Sequence, residues 1–205
     1  MDNRDIMALA KANLQGNWDI MAGIFLIYLL ITCVLGVIPV IGWIAGFLIA
    51  GPLLVGLHVV SLSVARDGPV LLSQLFDGFY FFTNCLVAYI LSVLFIFLWT
   101  LLLIVPGFIA ALSYSMTYFI LAENHQIDGQ EAIRQSKSMM MGHKCELSFL
   151  LGRFTGWFLL GIITLGIGFI WIGPYFMTSL AIFYDEIRSA AQPVQQPVPE
   201  IVPES

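Results

Sequence analysis

Apolar residues fall in three long runs, and the polar residues occupy the short segments between them. Residues 79–122 contain no Asp, Glu, Lys, Arg or His. Residues 20–65 hold one ionisable group, His58, leaving Cys and Tyr aside, and residues 147–184 are interrupted only by Arg153. A helix rises about 1.5 Å per residue, so a run of this kind is roughly 60 Å long, about twice a hydrocarbon core of roughly 30 Å. Each run therefore predicts two helices folded back on each other. The turns are marked at Ile38-Pro39 with Gly42, at Val105-Pro106-Gly107, and between Gly166 and Pro174. There Pro removes a backbone donor and Gly frees the chain.

The segments before the runs read as amphipathic surface helices. In residues 1–18, Ile6, Leu9, Ala10 and Leu14 share one face and Trp18 follows at a headgroup position. Asp67-Gly68-Pro69 opens a second short helix, with Leu71, Leu72, Leu75 and Phe76 on its apolar side. Asp128 and Glu131 have capping-box spacing for a third, from Gln130 to about Met141, with Ala132, Ile133 and Met140 on one side.

The pattern thus repeats. Surface helices begin near Asp5, Asp67 and Asp128, and return helices near Gly51-Pro52, Pro106-Gly107 and Gly173-Pro174, a period of roughly 56 to 67 residues. The expected fold is all-α, a polytopic membrane bundle of about six transmembrane helices. They form three hairpins (about 19–66, 79–123 and 147–186), each preceded by a cytoplasmic-side amphipathic helix. Residues 1–188 form one integral membrane domain, and the Pro-rich residues 189–205 a disordered cytoplasmic tail.

Composition agrees. The 205 residues are 60% hydrophobic and 10% charged, with mean hydropathy +0.93, against about 25% charged in ordinary soluble domains. The Lys and Arg residues flank one side of the hairpins, apart from Arg153, and the turns carry no charge. The positive-inside rule puts both termini and both long loops in the cytoplasm. The only polar surface left for recognition is then that rim and the bundle interior.

Candidate sites follow from this placement. At the rim, Arg134, Lys137, His143 and Lys144 are available to bind lipid or a membrane partner. Within the spans, Arg153, His58, Tyr114 and Ser115 form a candidate polar site. Arg153 is read either as a functional intramembrane charge or as a snorkelling side chain, and His58 either as a proton or metal site or as a neutral bundle histidine. Gly42 with Gly46 and Ala50, Gly107 with Ala111 and Ser115, and Gly152 with Gly156 have small-residue spacing that suits close helix packing or a seam with a second copy. Cys33, Cys85 and Cys145 lack metal-site spacing, no nucleotide-binding or hydrolase motif is present, and no basic face suits nucleic acid. No cofactor or metal is expected. The reading is a non-enzymatic membrane module acting at its cytoplasmic rim, on the bilayer, a membrane protein or a second copy. The alternative is a small transporter or lipid translocator using Arg153 and His58.

Several motifs resemble a known family. They are Gly16-Asn17-Trp18, Pro106-Gly107 with Ser113-Tyr114-Ser115-Met116, Leu121-Ala122-Glu123-Asn124, Met140-Met141-Gly142-His143-Lys144, Gly156-Trp157 and Pro174-Tyr175. Together they resemble a bacterial multi-pass membrane family catalogued as domain of unknown function nine-seven-five, over roughly residues 8–186. The layout is also distantly similar to the membrane domain of glycerophosphodiester phosphodiesterases. The resemblance implies a cell-membrane protein with no established activity. His125 departs from the family pattern, which usually has Pro there, and this implies a less rigid loop.

Overall fold

The computed structural model describes residues 2–164 and 166–191. Its α-helices are α1 (Asn3–Asn13), α2 (Trp18–Val37), α3 (Ile41–Ala65), α4 (Phe82–Leu102), α5 (Ile104–Tyr114), α6 (Thr117–Glu123), α7 (Gly129–Met139), α8 (Lys144–Ile163) and α9 (Phe169–Ala191), with a 3-10 helix at Leu72–Phe81 leading into α4. Five segments are long and apolar enough to cross a membrane: α2, α3, the 3-10 helix with α4, α5 with α6, and α8. The α9 helix has the length, but Pro174, Thr178, Ser179, Asp185 and Glu186 make it more polar. Val37, Ile41, Ile104 and Ile163, at or beside the turns opposite the charges, are about three-quarters exposed. A soluble monomer does not leave an apolar surface of that extent open.

The amphipathic segments form largely as the periodicity dictates. In α1 the Asp5 carboxylate accepts from the Asp2 backbone N–H at 3.2 Å, and Ile6, Ala10 and Leu14 are buried. Leu9, expected on that face, is exposed, because four apolar positions span a wider arc than the contact covers. In α7 the expected capping box is absent: Asp128 is the N-cap without a side-chain bond, since Glu131 instead binds Arg134 and Gln135. The segment after Asp67 starts later than expected, at Leu72, and winds as 3-10 helix. The Gln74 side chain decides this. Its carbonyl accepts from the Leu71 N–H at 3.1 Å, while its amide donates to Ser63 Oγ and the Pro69 carbonyl. Pro52 and Pro174 lie inside α3 and α9 rather than at their starts. Residues 192–205, most of the expected tail, lie outside the described residues, and α9 runs three residues past the expected boundary at 188.

The units repeat with close register. Helices α2 and α8 differ at both bounds by 126 residues (144 − 18 and 163 − 37). The same shift carries the N-cap Asp2 to Asp128 and Gly16 to Gly142, both at φ +93°, a conformation that glycine alone adopts without strain. Buried Ala10 and Leu14 likewise map to buried Ser136 and Met140. The middle unit differs. Its surface helix is the 3-10 segment, and its return helix breaks between α5 and α6 at Ser115-Met116. The surface elements pack in cyclic order, each on a hairpin of another unit: α1 on α9, the 3-10 helix on α3, and α7 on α4.

The middle seam is the tightest. A Cβ on Gly56 would sit 1.9 Å from the Leu75 carbonyl oxygen, and one on Gly78 would sit 2.2 Å from the Pro52 oxygen. These are backbone atoms and cannot move aside cheaply. Gly56→Ala is therefore expected to destabilise the protein by about 3 kcal/mol through overpacking. Gly152→Ala, with nothing within 4 Å of the added methyl, is expected to be neutral or to gain up to about 1 kcal/mol from helix propensity. Thermal unfolding of both variants in one detergent checks the contrast, and equal losses would contradict the seam.

Candidate functional site at the polar end

Three return helices bring charges together: at the ends of α3 and α6, and in the last turns of α9. Arg66, just past α3, forks onto Asp185 of α9, with Nη2 to Oδ1 at 2.5 Å and Nε to Oδ2 at 3.0 Å. The same Nη2 reaches Glu123, the last residue of α6, at 2.9 Å. Arg188 binds that Glu123 oxygen at 2.6 Å, and the Tyr184 hydroxyl donates to the other at 2.9 Å. Tyr184 is itself buried and stacks on Phe119 at 5.1 Å. Two guanidiniums, two carboxylates and a phenol thus close the end of the bundle. Fork geometry and partial burial make such a network stronger than isolated surface pairs. A cleft of about 350 Å³ runs alongside it, lined by Val59, Ser63, Arg66 and Glu123 among others.

A second feature lies where α7 crosses the middle hairpin. Ser136, fully buried, donates to the Ser113 carbonyl at 2.9 Å and accepts from the Met116 N–H at 3.2 Å. The break between α5 and α6 frees those backbone groups, and Ser136 takes them up. This contact fixes α7 so that Lys137 and Lys144 both line a groove of about 200 Å³. Its other walls are Trp99 on α4 and Pro106, Ile109, Ala110, Ser113 and Tyr114 on α5. Neither lysine has an ion-pair partner among the described residues. The groove offers two uncompensated ammonium groups beside an apolar, aromatic floor, chemistry suited to an anionic amphiphile.

The chain matches the family described as a protein of unknown function, DUF975, over residues 1–113 and again over residues 100–191. It belongs to that family. No curated protein and no solved structure matches it. The likeness to the glycerophosphodiester phosphodiesterase membrane domain and a bacterial source are not part of the family match. The two matched stretches overlap over residues 100–113, from the end of α4 into α5, in the middle unit of this DUF975 chain.

The residues singled out from the sequence separate into different places. Tyr114 joins Lys137 and Lys144 at the groove, bringing one expected span residue together with two expected rim residues. Ser115 donates back to the Leu112 carbonyl. His58 is buried in α3, where its Nδ1 lies 2.6 Å from the Leu54 carbonyl and its ring packs edge-on against Phe119 at 4.3 Å. Arg153 is exposed on α8, with Asp2 its carboxylate neighbour at 3.9 Å. The expected polar site of Arg153, His58, Tyr114 and Ser115 is therefore not one site: His58 faces the aromatic core, and Arg153 faces outward beside the N-terminus. At the rim, Arg134 binds Glu131 at 2.7 Å, and its hydrogen bond, with that of Gln135, holds the Glu131 carboxyl below the ordinary carboxylate range. His143 Nδ1 lies 2.9 Å from Glu146. His125, where DUF975 relatives are expected to carry Pro, stacks on Phe81 at 4.4 Å and meets the Leu121 carbonyl, so the loop gains a different anchor.

Sequence reasoning passed over Arg66, Glu123, Tyr184, Asp185 and Arg188 as a site. The available signal was a charge closing every apolar run. Glu123→Gln removes the shared acceptor and leaves two guanidiniums short of a partner. The expected loss is about 2 kcal/mol of stability, between the values for exposed and buried pairs. A double-mutant cycle with Arg66→Gln is expected to show about 1 kcal/mol of coupling. Additivity of the two losses in detergent unfolding would mean that the network is not cooperative.

Proposed function

We propose that this DUF975 protein is a non-enzymatic module of the bacterial cytoplasmic membrane that holds anionic phospholipid at its cytoplasmic rim. In this reading α9 completes six spans in three hairpins, and both termini and the polar end face the cytoplasm. The one-sided placement of the charges supports the orientation. The observation that carries the function is the Lys137–Lys144 groove. Two cations without an ion-pair partner among the described residues border this aromatic groove, where a phosphate can meet them while an acyl chain lies on Trp99 and Ile109. The separation of His58 from Arg153 favours this reading over translocation, because a carrier path needs polar groups that line one route.

The test is lipid competition in nanodiscs, read by native mass spectrometry. Each lysine near a membrane surface contributes about five-fold to the preference for anionic over zwitterionic lipid. Lys137→Gln with Lys144→Gln should lower that preference by more than ten-fold, and Arg134→Gln, already paired with Glu131, should change it little. An unchanged preference in the double variant would sink the reading.

A further inference from the structure

The repeat makes the Lys137 groove one of a pair. A shift of 126 residues carries Lys11 to Lys137 and Trp18 to Lys144. Lys11 and Trp18 line a second groove, of about 210 Å³, against the third hairpin. Its remaining walls are Trp157 on α8 and Trp171, Ile172 and Tyr175 on α9. Each groove thus combines a lysine of a surface helix, a tryptophan of one hairpin helix and a tyrosine of the next: Lys137, Trp99 and Tyr114 in the first, and Lys11, Trp157 and Tyr175 in the second. The third equivalent seam is closed. Gly56 and Gly78 bring the 3-10 helix into backbone contact with α3, and Leu72–Phe81 contains no lysine.

The walls of the second groove are fixed from behind. The Tyr175 hydroxyl donates to the Met7 carbonyl of α1 at 3.2 Å, and its ring meets Phe154 and Trp157 edge-on at 5.2 and 6.2 Å. The opposite side is open: Trp157 and Trp171 are each about half exposed. Lys11 has no ion-pair partner among the described residues.

The hairpin lengths add a reason for a lipid here. Gly173 lies against Phe25. Beyond Phe25, α2 runs twelve more residues, while only four residues of α9 precede Gly173. At about 1.5 Å per residue the third hairpin turns roughly 12 Å short of the first. The groove leads from Lys11 and Trp18, at the polar end, to Trp171 and Ile172 beside that short turn. Acyl chain must fill the space the hairpin leaves.

We infer that Lys11, Trp18, Trp157, Trp171 and Tyr175 form a second lipid site, which takes an anionic phospholipid of the surrounding bilayer. The phosphate meets the Lys11 ammonium and the Trp18 indole, and one chain lies over Trp157 and Trp171. The cavity is too small for a whole phospholipid, so the second chain stays in the bilayer. Charge complementarity selects this occupant: an unpaired ammonium beside indoles favours an acidic head over a zwitterionic one. The inference rests on the rim-binding reading above.

Tryptophan quenching by brominated phospholipids tests it, because the reporters divide by site. In the full chain carrying Trp43→Phe and Trp99→Phe, the remaining indoles are those of the second groove. Brominated phosphatidylglycerol should quench them at lower mole fraction than brominated phosphatidylcholine, by about five-fold. Lys11→Gln should abolish that difference and Lys11→Arg should keep it. Equal quenching by both lipids, or a preference that survives Lys11→Gln, overturns the site. Should Lys11→Gln fold poorly, the headgroup comparison and Lys11→Arg still decide. A converse background that keeps Trp99 alone, with Phe at positions 18, 43, 157 and 171, reads the first groove. Preference there with none at Lys11 removes only the second site; loss at both also removes the proposed function.

Discussion

Arg66 stands at the end of α3 and reaches carboxylates on two other helices, Glu123 of α6 and Asp185 of α9. Much of the architecture depends on that convergence. Lipid offers no hydrophobic drive for helix association, since its tails are as apolar as the helices themselves. Small-residue contacts and polar bonds must hold the units together instead. Gly56 and Gly78 supply the first kind at the middle seam. The network around Arg66 supplies the second, and it is the place where the described structure ties one return helix from every unit. Tyr184 extends the tie inward, because its ring stacks on Phe119 while its hydroxyl holds Glu123.

The cyclic packing explains why the grooves lie where they do. A surface helix that sits on another unit's hairpin leaves a crevice along the line of contact. Whether the crevice stays open depends on the side chains at the crossing. In the middle unit two glycines remove the side chains and the crevice vanishes. Around α1 and α7 the crossings carry Met7 and Tyr175 in one case and Ser136 and Ser113 in the other. Gly129 brings the start of α7 close to α4 as well, an added Cβ there lying 2.6 Å from the Asn84 oxygen, and the openings, bordered by lysine and tryptophan, lie farther along each contact. One seam is thus given to close packing, and grooves remain along the other two.

The sequence disclosed a good deal of this. Runs without charge announced the long helices, Pro39 announced the first turn, and the Asp-led segments announced α1 and α7; the second turn falls at Leu103, ahead of the expected Val105-Pro106-Gly107, which lies within α5. What it hid has physical reasons. The three-way contact of Arg66, Glu123 and Asp185 joins residues 57 and 119 positions apart, and periodicity carries no information about such pairs. Gln74 overrode the Asp67 start signal because its amide bonds to Ser63 and Pro69, again outside the local pattern. Pro52 looked like a helix start since a proline has no N–H to give, yet α3 tolerates it in its interior. Arg153, nine residues beyond Lys144, was legible as a functional intramembrane charge or as a snorkelling side chain. Its true neighbour, Asp2, comes from the far end of the chain. Of the groove residues, Lys137, Lys144 and Tyr114 were legible as individual candidates, whereas their meeting at Trp99 required the α7 crossing.

The placement of the unpaired cations bears on the choice between holding and moving a lipid. Arg66, Arg134 and Arg188 are all paired with carboxylates of this chain, and a charge so paired is already compensated. Lys11, Lys137 and Lys144 have no such partner among the described residues. An ammonium can reach water along its flexible stem, so an unpaired lysine at the polar end costs little. It also remains available to a phosphate, which a paired arginine does not. The same position limits what the lysines do, because the turns of the first and third hairpins carry exposed apolar residues such as Ile38 and Ile163 and no charge in the sequence. A headgroup held at one end has no second polar station to pass to. The geometry therefore fits retention of lipid within one leaflet.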